Sequence, residues 1–298
     1  MRPRRIAATL AAMRIGIVAA LLLALCAGRA EARGVDLPLT QSLRAYHGTG
    51  SWVSIYDTAA WKDPAAVARR LAAHHVDTLY LETSNDRQDV DVVHPEVVAQ
   101  FIEAAHARDI DVVGWYLPSF TNVKRDVRRA LAGARFHTAT GDGFDAFALD
   151  IESTKIRSIP KRTRRAVAFA AAVRRGLPWR YPLGAITMDP VGGRYWPGYP
   201  FAQLARSVDV FLPMAYFTAR TSGARHVRSY SAANIAAIRQ LVANPQYPVH
   251  PIGGESQHAS LGELRAFFRA SETSTTLGAS LWEYGQTTPA QWALLARS

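Results

Sequence analysis

The sequence predicts a single α/β domain, a (βα)8 barrel of the TIM type. Three observations carry that prediction. From Ser51 onward, short β-branched or aromatic runs alternate with longer helical patterns, and the alternation repeats eight times. The strand runs are nearly continuous in apolar residues, as parallel strands buried on both faces require. No Gly-rich dinucleotide or phosphate loop follows the first strand, which argues against an open doubly wound sheet. About 250 residues without a composition break fit one barrel.

The strand candidates are Trp52 to Tyr56, Thr78 to Glu82, Asp111 to Tyr116, Ala146 to Glu152, Leu183 to Asp189, Val208 to Tyr216, Val249 to Gly253 and Ala279 to Tyr284, each expected to be followed by a helix. Helix starts are punctuated. Asp63-Pro64 gives a cap followed by proline at the first helical position, and His94-Pro95-Glu96 repeats that start. Val97, Val98, Phe101, Ile102 and Ala105 then form one apolar stripe. Further helices are expected over Asn122 to Ala134, Lys161 to Arg175, Ala233 to Val242, Leu261 to Ala270 and Pro289 to Ala296.

Residues 1–32 read as a secretory signal. Arg2, Arg4, Arg5 and Arg14 precede an apolar run from Ile15 to Ala27, and Ala30-Glu31-Ala32 offers a cleavage site. That run is shorter than the ~20 residues of a bilayer-spanning helix. Cleavage near Ala32 leaves a lead-in over 33–50, a barrel over 51–298 and an exported or envelope protein. Cys26 is the one cysteine, so the remainder must be stable without disulfides. Removing five arginines and one glutamate lowers the formal net charge from +11 to +7, which suits an anionic glycan or simple solubility.

Catalytic groups of such barrels sit at the carboxyl ends of the strands. Those ends read Glu82, Trp115-Tyr116, Asp150-Ile151-Glu152, Asp189, Met214-Ala215-Tyr216, Glu255 after Gly253-Gly254, and Trp282-Glu283-Tyr284. Carboxylates beside Trp and Tyr suit a sugar cleft, where rings stack on pyranoses and carboxyl groups move protons. Asp150 and Glu152 are two apart on one strand, so with Ala148 they should point into the barrel while Leu149 and Ile151 face the helices. Two close buried acids cannot both stay charged, and one should act as an acid. Six of the eleven residues from Lys155 to Arg165 are basic, either a solvated helix start or a steering patch for an anionic polymer.

The stretch Gly143 to Glu152 resembles the fourth-strand signature D-x-x-D-x-D-x-E of family 18 glycoside hydrolases, with Asp145, Asp150 and Glu152 at its first, third and fourth acids. Met214-Ala215-Tyr216 resembles that family's sixth-strand motif, and Trp282 its last-strand tryptophan. The resemblance implies Glu152 as general acid, Asp150 orienting a substrate N-acetyl group, and Tyr216 as its partner. Ala148 and Phe217 depart from the pattern. Leu149 to Glu152 and Leu281 to Tyr284 also resemble family 25 lysozymes. A third arrangement, that of the retaining barrel glycosidases, would pair Glu152 with Glu255.

The expectation is therefore a glycoside hydrolase acting on a polysaccharide, anionic or N-acetylated, with Glu152, Asp150, Tyr216 and Glu255 in the chemistry. Asp145, Trp115, Tyr116, Glu82, Asp189, Met214, Trp282 and Tyr284 would bind the sugar. A non-catalytic carbohydrate-binding barrel is the alternative, since Ala148 replaces an acid. Neither metal nor other cofactor is expected, because the nine histidines are scattered and no HExxH is present. The chain is read as a monomer with no nucleic-acid partner and no membrane span beyond the signal.

Overall fold

A computed structural model describes residues 43–295, so the signal segment, its cleavage near Ala32 and Cys26 lie outside the described residues. Eight parallel strands close into a barrel in chain order: β1 Gly48–Val53, β2 Thr78–Asn85, β3 Asp111–Leu117, β4 Ala146–Asp150, β5 Leu183–Met188, β6 Val210–Ala215, β7 Ile252–Gly253 and β8 Gly278–Leu281, with β8 paired to β1. Around it run α1 Thr58–Lys62, α2 Pro64–Ala73, α3 Pro95–His106, α4 Val123–Ala134, α5 Ile159–Gly176, α6 Phe201–Leu204, α7 Ala224–Leu241, α8 Leu261–Thr273 and α9 Pro289–Leu295. None of the described helices is long and apolar enough to cross a membrane.

The starts of several helices are fixed by side chains. Asp57, Asp63 and Asn122 accept from the backbone N–H three residues on, and Ser260 with Glu263 forms a reciprocal capping box.

Three elements differ from expectation. The first strand begins at Gly48, inside the stretch read as a lead-in, and ends at Val53, so Tyr56 lies on an exposed loop. The run Gly48-Thr49-Gly50-Ser51 resembles a turn in sequence, yet a Cβ at Gly50 would stand 2.4 Å from the Tyr80 ring, so the interior needs a glycine there. After β5 the helix shrinks to the four residues of α6, and residues 189–200 form a long loop over the mouth. α7 starts nine residues before the expected Ala233, because its buried face includes Ser231 and Asn234, which break the apolar stripe.

Side chains fill the interior in layers. At the amino-terminal end a short 3-10 turn, Arg44–Tyr46, plugs the barrel. The Tyr46 hydroxyl donates to the Phe147 carbonyl at 2.7 Å, His250 Nδ1 lies 2.8 Å from the Tyr46 carbonyl, and Arg44 pairs with Asp111. Burial holds the His250 pKa down at about 4, so the ring is neutral and Nδ1–H donates to that carbonyl. Above the plug Trp52 stacks on Tyr80, centroids 4.2 Å apart, and donates from Nε1 to Ser280 Oγ at 2.8 Å. Ala146, Ala148, Ile186 and Ile252 complete this inner core, whereas Leu149 and Ile151 pack outward with Phe169 and Ala170 of α5.

The plug sets a stability prediction. A Cβ at Gly184 would stand 2.7 Å from Leu212 Cδ1 and 2.9 Å from the Tyr46 hydroxyl oxygen. Gly184→Ala is expected to destabilise by about 1–3 kcal/mol in urea unfolding. In a Tyr46→Phe background that cost should shrink, because the crowding oxygen is gone. Equal costs in both backgrounds would show that the clash is relieved elsewhere.

Candidate active site at the carboxyl end of the barrel

Asp150 closes β4 and Glu152 follows two residues later on the turn, and both line a pocket of about 180 Å³. Its remaining wall is Trp52, Trp115, Ile186, Met214, Tyr216, Ile252 and Trp282. The three indoles lean on one another, with centroids 5.9 Å apart for Trp52–Trp115 and 6.1 Å for both Trp115–Trp282 and Trp52–Trp282. The peptide bond between Trp282 and Glu283 is cis. Apolar ring faces therefore surround two carboxyl groups.

That setting raises both acids. Burial holds the Asp150 carboxyl well above the ordinary carboxylate range, and the charges of Glu152 and Glu82 add to it. Burial alone raises Glu152. Asp150 Oδ1 and Trp115 Nε1 are buried and have no hydrogen-bond partner among the described residues. Burial raises the Tyr216 hydroxyl, and the charges of Glu152 and Asp150 raise it further, so it stays a neutral donor.

Glu82, on β2, is buried and satisfied: it accepts from the Ile55 N–H at 2.9 Å and from Asn85 Nδ2 at 3.0 Å. Asn85 also donates to the Tyr56 hydroxyl at 3.0 Å. Burial pushes Glu82 up to about 7 against those hydrogen bonds. Asp189 is buried but spoken for, held by Arg220 at 3.1 and 3.3 Å and by the Tyr230 hydroxyl.

Other residues singled out in the sequence do not line the pocket. Tyr116 faces outward, where alternation places it beside inward Trp115, and donates to Asp126 at 3.0 Å. Asp145 sits at the opposite end of β4, accepting from the Val112 N–H at 2.7 Å and facing His106 Nε2 at 3.0 Å. Tyr284 packs against Trp292, with Arg70 over its ring. Glu255 is exposed on the loop after β7, 3.9 Å from His258.

Sequence reasoning missed Trp52, Ile186 and Ile252, which the inward parity of their strands would have found once β1 was registered correctly. It also missed Tyr195, on the long loop after β5, whose hydroxyl is raised by burial and then by the charges of Glu152 and Asp150. No local pattern signals that residue. Glu283 is raised by burial as well, against hydrogen bonds from Ser54 and Gln286.

The basic run resolves into separate tasks. Arg162 is buried over the Trp196 ring at 4.3 Å and donates to the Tyr195 carbonyl at 2.9 Å, which clamps the long loop. Arg165 donates to the carbonyls of Phe120 and Thr121, and Lys155 pairs with Asp86. Arg157, Lys161 and Arg164 are exposed.

No family model matches the sequence, and no curated protein matches it. Among solved structures the barrel is similar to an endo-β-1,4-mannanase from Thermotoga petrophila, at 9% identity over 87% of this chain and 77% of that one, TM-score 0.63. It is also similar to the spore cortex-lytic enzyme SleL of Bacillus cereus, at 11% identity over 84% and 73%, TM-score 0.61. A GH18 chitinase from Pseudoalteromonas aurantia matches at 12% identity over 83% and 97%, TM-score 0.57. The chain thus has the fold of the barrel glycoside hydrolases.

Glu82 makes the site's electrostatics measurable. Its folded pKa of about 7 lies above its ordinary 4.5, so the folded chain holds a proton that the unfolded chain releases, and stability falls as pH rises through that window. Glu82→Gln should flatten the stability profile between pH 5 and 7, where the native glutamate loses up to about 3 kcal/mol. Urea titrations at several pH values check it, and parallel profiles would remove Glu82 as the source.

Proposed function

We propose that this chain is an exported glycoside hydrolase that cleaves a polysaccharide, with Glu152 as general acid and base. The observation that carries the reading is the raised Asp150–Glu152 pair at a barrel strand end, inside a pocket walled by three tryptophans and Tyr216. In the proposed reaction, protonated Glu152 gives its proton to the glycosidic oxygen as the bond to the anomeric carbon breaks. It then takes a proton from the incoming water. The pocket holds about one sugar ring, and the indole faces suit its apolar side.

Among the schemes open to such a pair, assistance by a substrate N-acetyl group is the best supported. Asp150 and Tyr216 share the pocket with Glu152, as that scheme needs: an acceptor for the amide N–H and a neutral donor for its oxygen. Schemes that use Asp189 or Glu255 as the second carboxylate are less favoured, since Asp189 is tied to Arg220 and Glu255 lies on an exposed loop. The similar solved structures include mannanases and chitinases, so they do not choose the polymer. A binding barrel without turnover is the second reading, favoured by Ala148, which leaves Asp150 Oδ1 without a protein partner.

Glu152→Gln is expected to cut release of reducing ends from amino-sugar polymers by about 10²-fold or more. Its unfolding midpoint should be unchanged or higher, because a neutral amide replaces a buried acid. A fully active variant overturns the assignment, whereas native protein that binds glycan without releasing ends supports the binding reading. Because the raised acid must be protonated to work, activity of the native protein should persist above the ordinary glutamate range and fall as pH rises through the raised pKa of the pair. A pH–rate profile for kcat/KM reads this directly, and an alkaline limb inside the ordinary glutamate range would contradict it.

A further inference from the structure

On the outer wall of the barrel, α7 and α8 border a groove of about 750 Å³ lined by Arg225, Arg228, Arg265 and Arg269. All four are exposed, and the one carboxylate lining the groove is Glu272. Among the described residues, none of the four side chains makes an ion pair or a hydrogen bond. Several arginines outside the groove are engaged: Arg128, Arg174 and Arg220 pair with Asp91, Asp209 and Asp189, and Arg239 donates to the carbonyls of Ser274 and Thr275.

The cluster does not serve the stability of its own helices. Arg225 lies in the first turn of α7, at the positive end of the helix dipole, where a cation is unfavourable. Arg225 and Arg228 are three apart, Arg265 and Arg269 four apart, so each pair places like charges on adjacent turns of one face. Four arginines lining one groove against a single acid suit an anion, and the guanidinium fork matches carboxylate geometry.

The surroundings narrow the anion's source. Among the described residues the exposed large hydrophobics are Tyr56, Val90, Trp179, Val191, Tyr195 and Leu241, none of them in the groove, so they give it no apolar wedge for a bilayer surface. Phe268, the aromatic residue in the groove, is buried and presents no platform for stacking bases. We propose that the α7–α8 groove is a secondary binding site for a carboxylated polysaccharide, separate from the pocket in the barrel mouth. It does not depend on catalysis at Glu152.

The test is fluorescence anisotropy of a labelled polygalacturonate oligomer with the full chain. The native protein is compared with a variant carrying Arg225→Gln, Arg228→Gln, Arg265→Gln and Arg269→Gln. A control carrying Lys124→Gln, Arg157→Gln, Arg164→Gln and Arg206→Gln loses the same charge at other exposed positions. The groove variant should bind about tenfold more weakly or worse, from roughly twofold for each exposed charge contact, while the control stays within about twofold of native. If the fourfold variant does not fold, the pair Arg225→Gln and Arg269→Gln is read the same way, with about fourfold expected. Equal losses in groove variant and control would reduce the effect to overall charge and overturn the site. So would tighter groove-dependent binding to anionic phospholipid vesicles or single-stranded DNA than to polygalacturonate.

Discussion

Closing eight parallel strands leaves an interior only as wide as its own side chains, so the size of the inward residue at each level decides what the level above can hold. Here the Trp52–Tyr80 stack occupies the middle of the barrel. Its bulk requires Gly50 beside it, and Tyr46 below it requires Gly184. The stack also makes an apolar floor. Carboxyl groups at the top of β4 are cut off from water beneath and meet it only through the mouth. A smaller pair in the middle would let water reach Asp150 from below and return it toward an ordinary acid.

The electrostatics of the mouth follow from that floor and from where the cations are. Glu82, Asp150 and Glu152 all rise chiefly through burial, and the charges of Glu152 and Glu82 add to the cost of ionising Asp150. The nearby basic side chains are already engaged: Arg220 with Asp189, Lys155 with Asp86, Arg162 with Trp196 and the Tyr195 carbonyl. Cations that could neutralise the pair are thus diverted to holding the loops that form its rim. A mouth arranged this way biases its acids toward the protonated form.

Much of this architecture was legible in the sequence where a period of two or a cap could be read. The inward parity of Ala148 and Asp150, against the outward Leu149 and Ile151, follows from alternation alone. The same rule was available for Trp115 and Tyr116, and applying it would have removed Tyr116 from the sugar cleft. Legibility failed where tertiary contacts decide. β1 passes through Gly-Thr-Gly-Ser because Tyr80 needs the space, Asp145 is recruited by the Val112 N–H and His106, and Tyr195 reaches the acids on a loop pinned by an arginine thirty-three residues earlier.

Ala148 shows how one small residue shifts a role to its neighbours. With no polar group on that inward position, Asp150 Oδ1 has no protein partner to fix its protonation. Its proton is then governed by burial and by the charges of Glu152 and Glu82, so Asp150 and Glu152 titrate as a pair and share macroscopic pKa values. Such a pair holds its first proton tightly and its second more loosely. The unpartnered oxygen of Asp150 leaves room for a hydrogen bond from a ligand, and any group that donates there stabilises the charged form of Asp150. A charged Asp150 in turn opposes ionisation of Glu152.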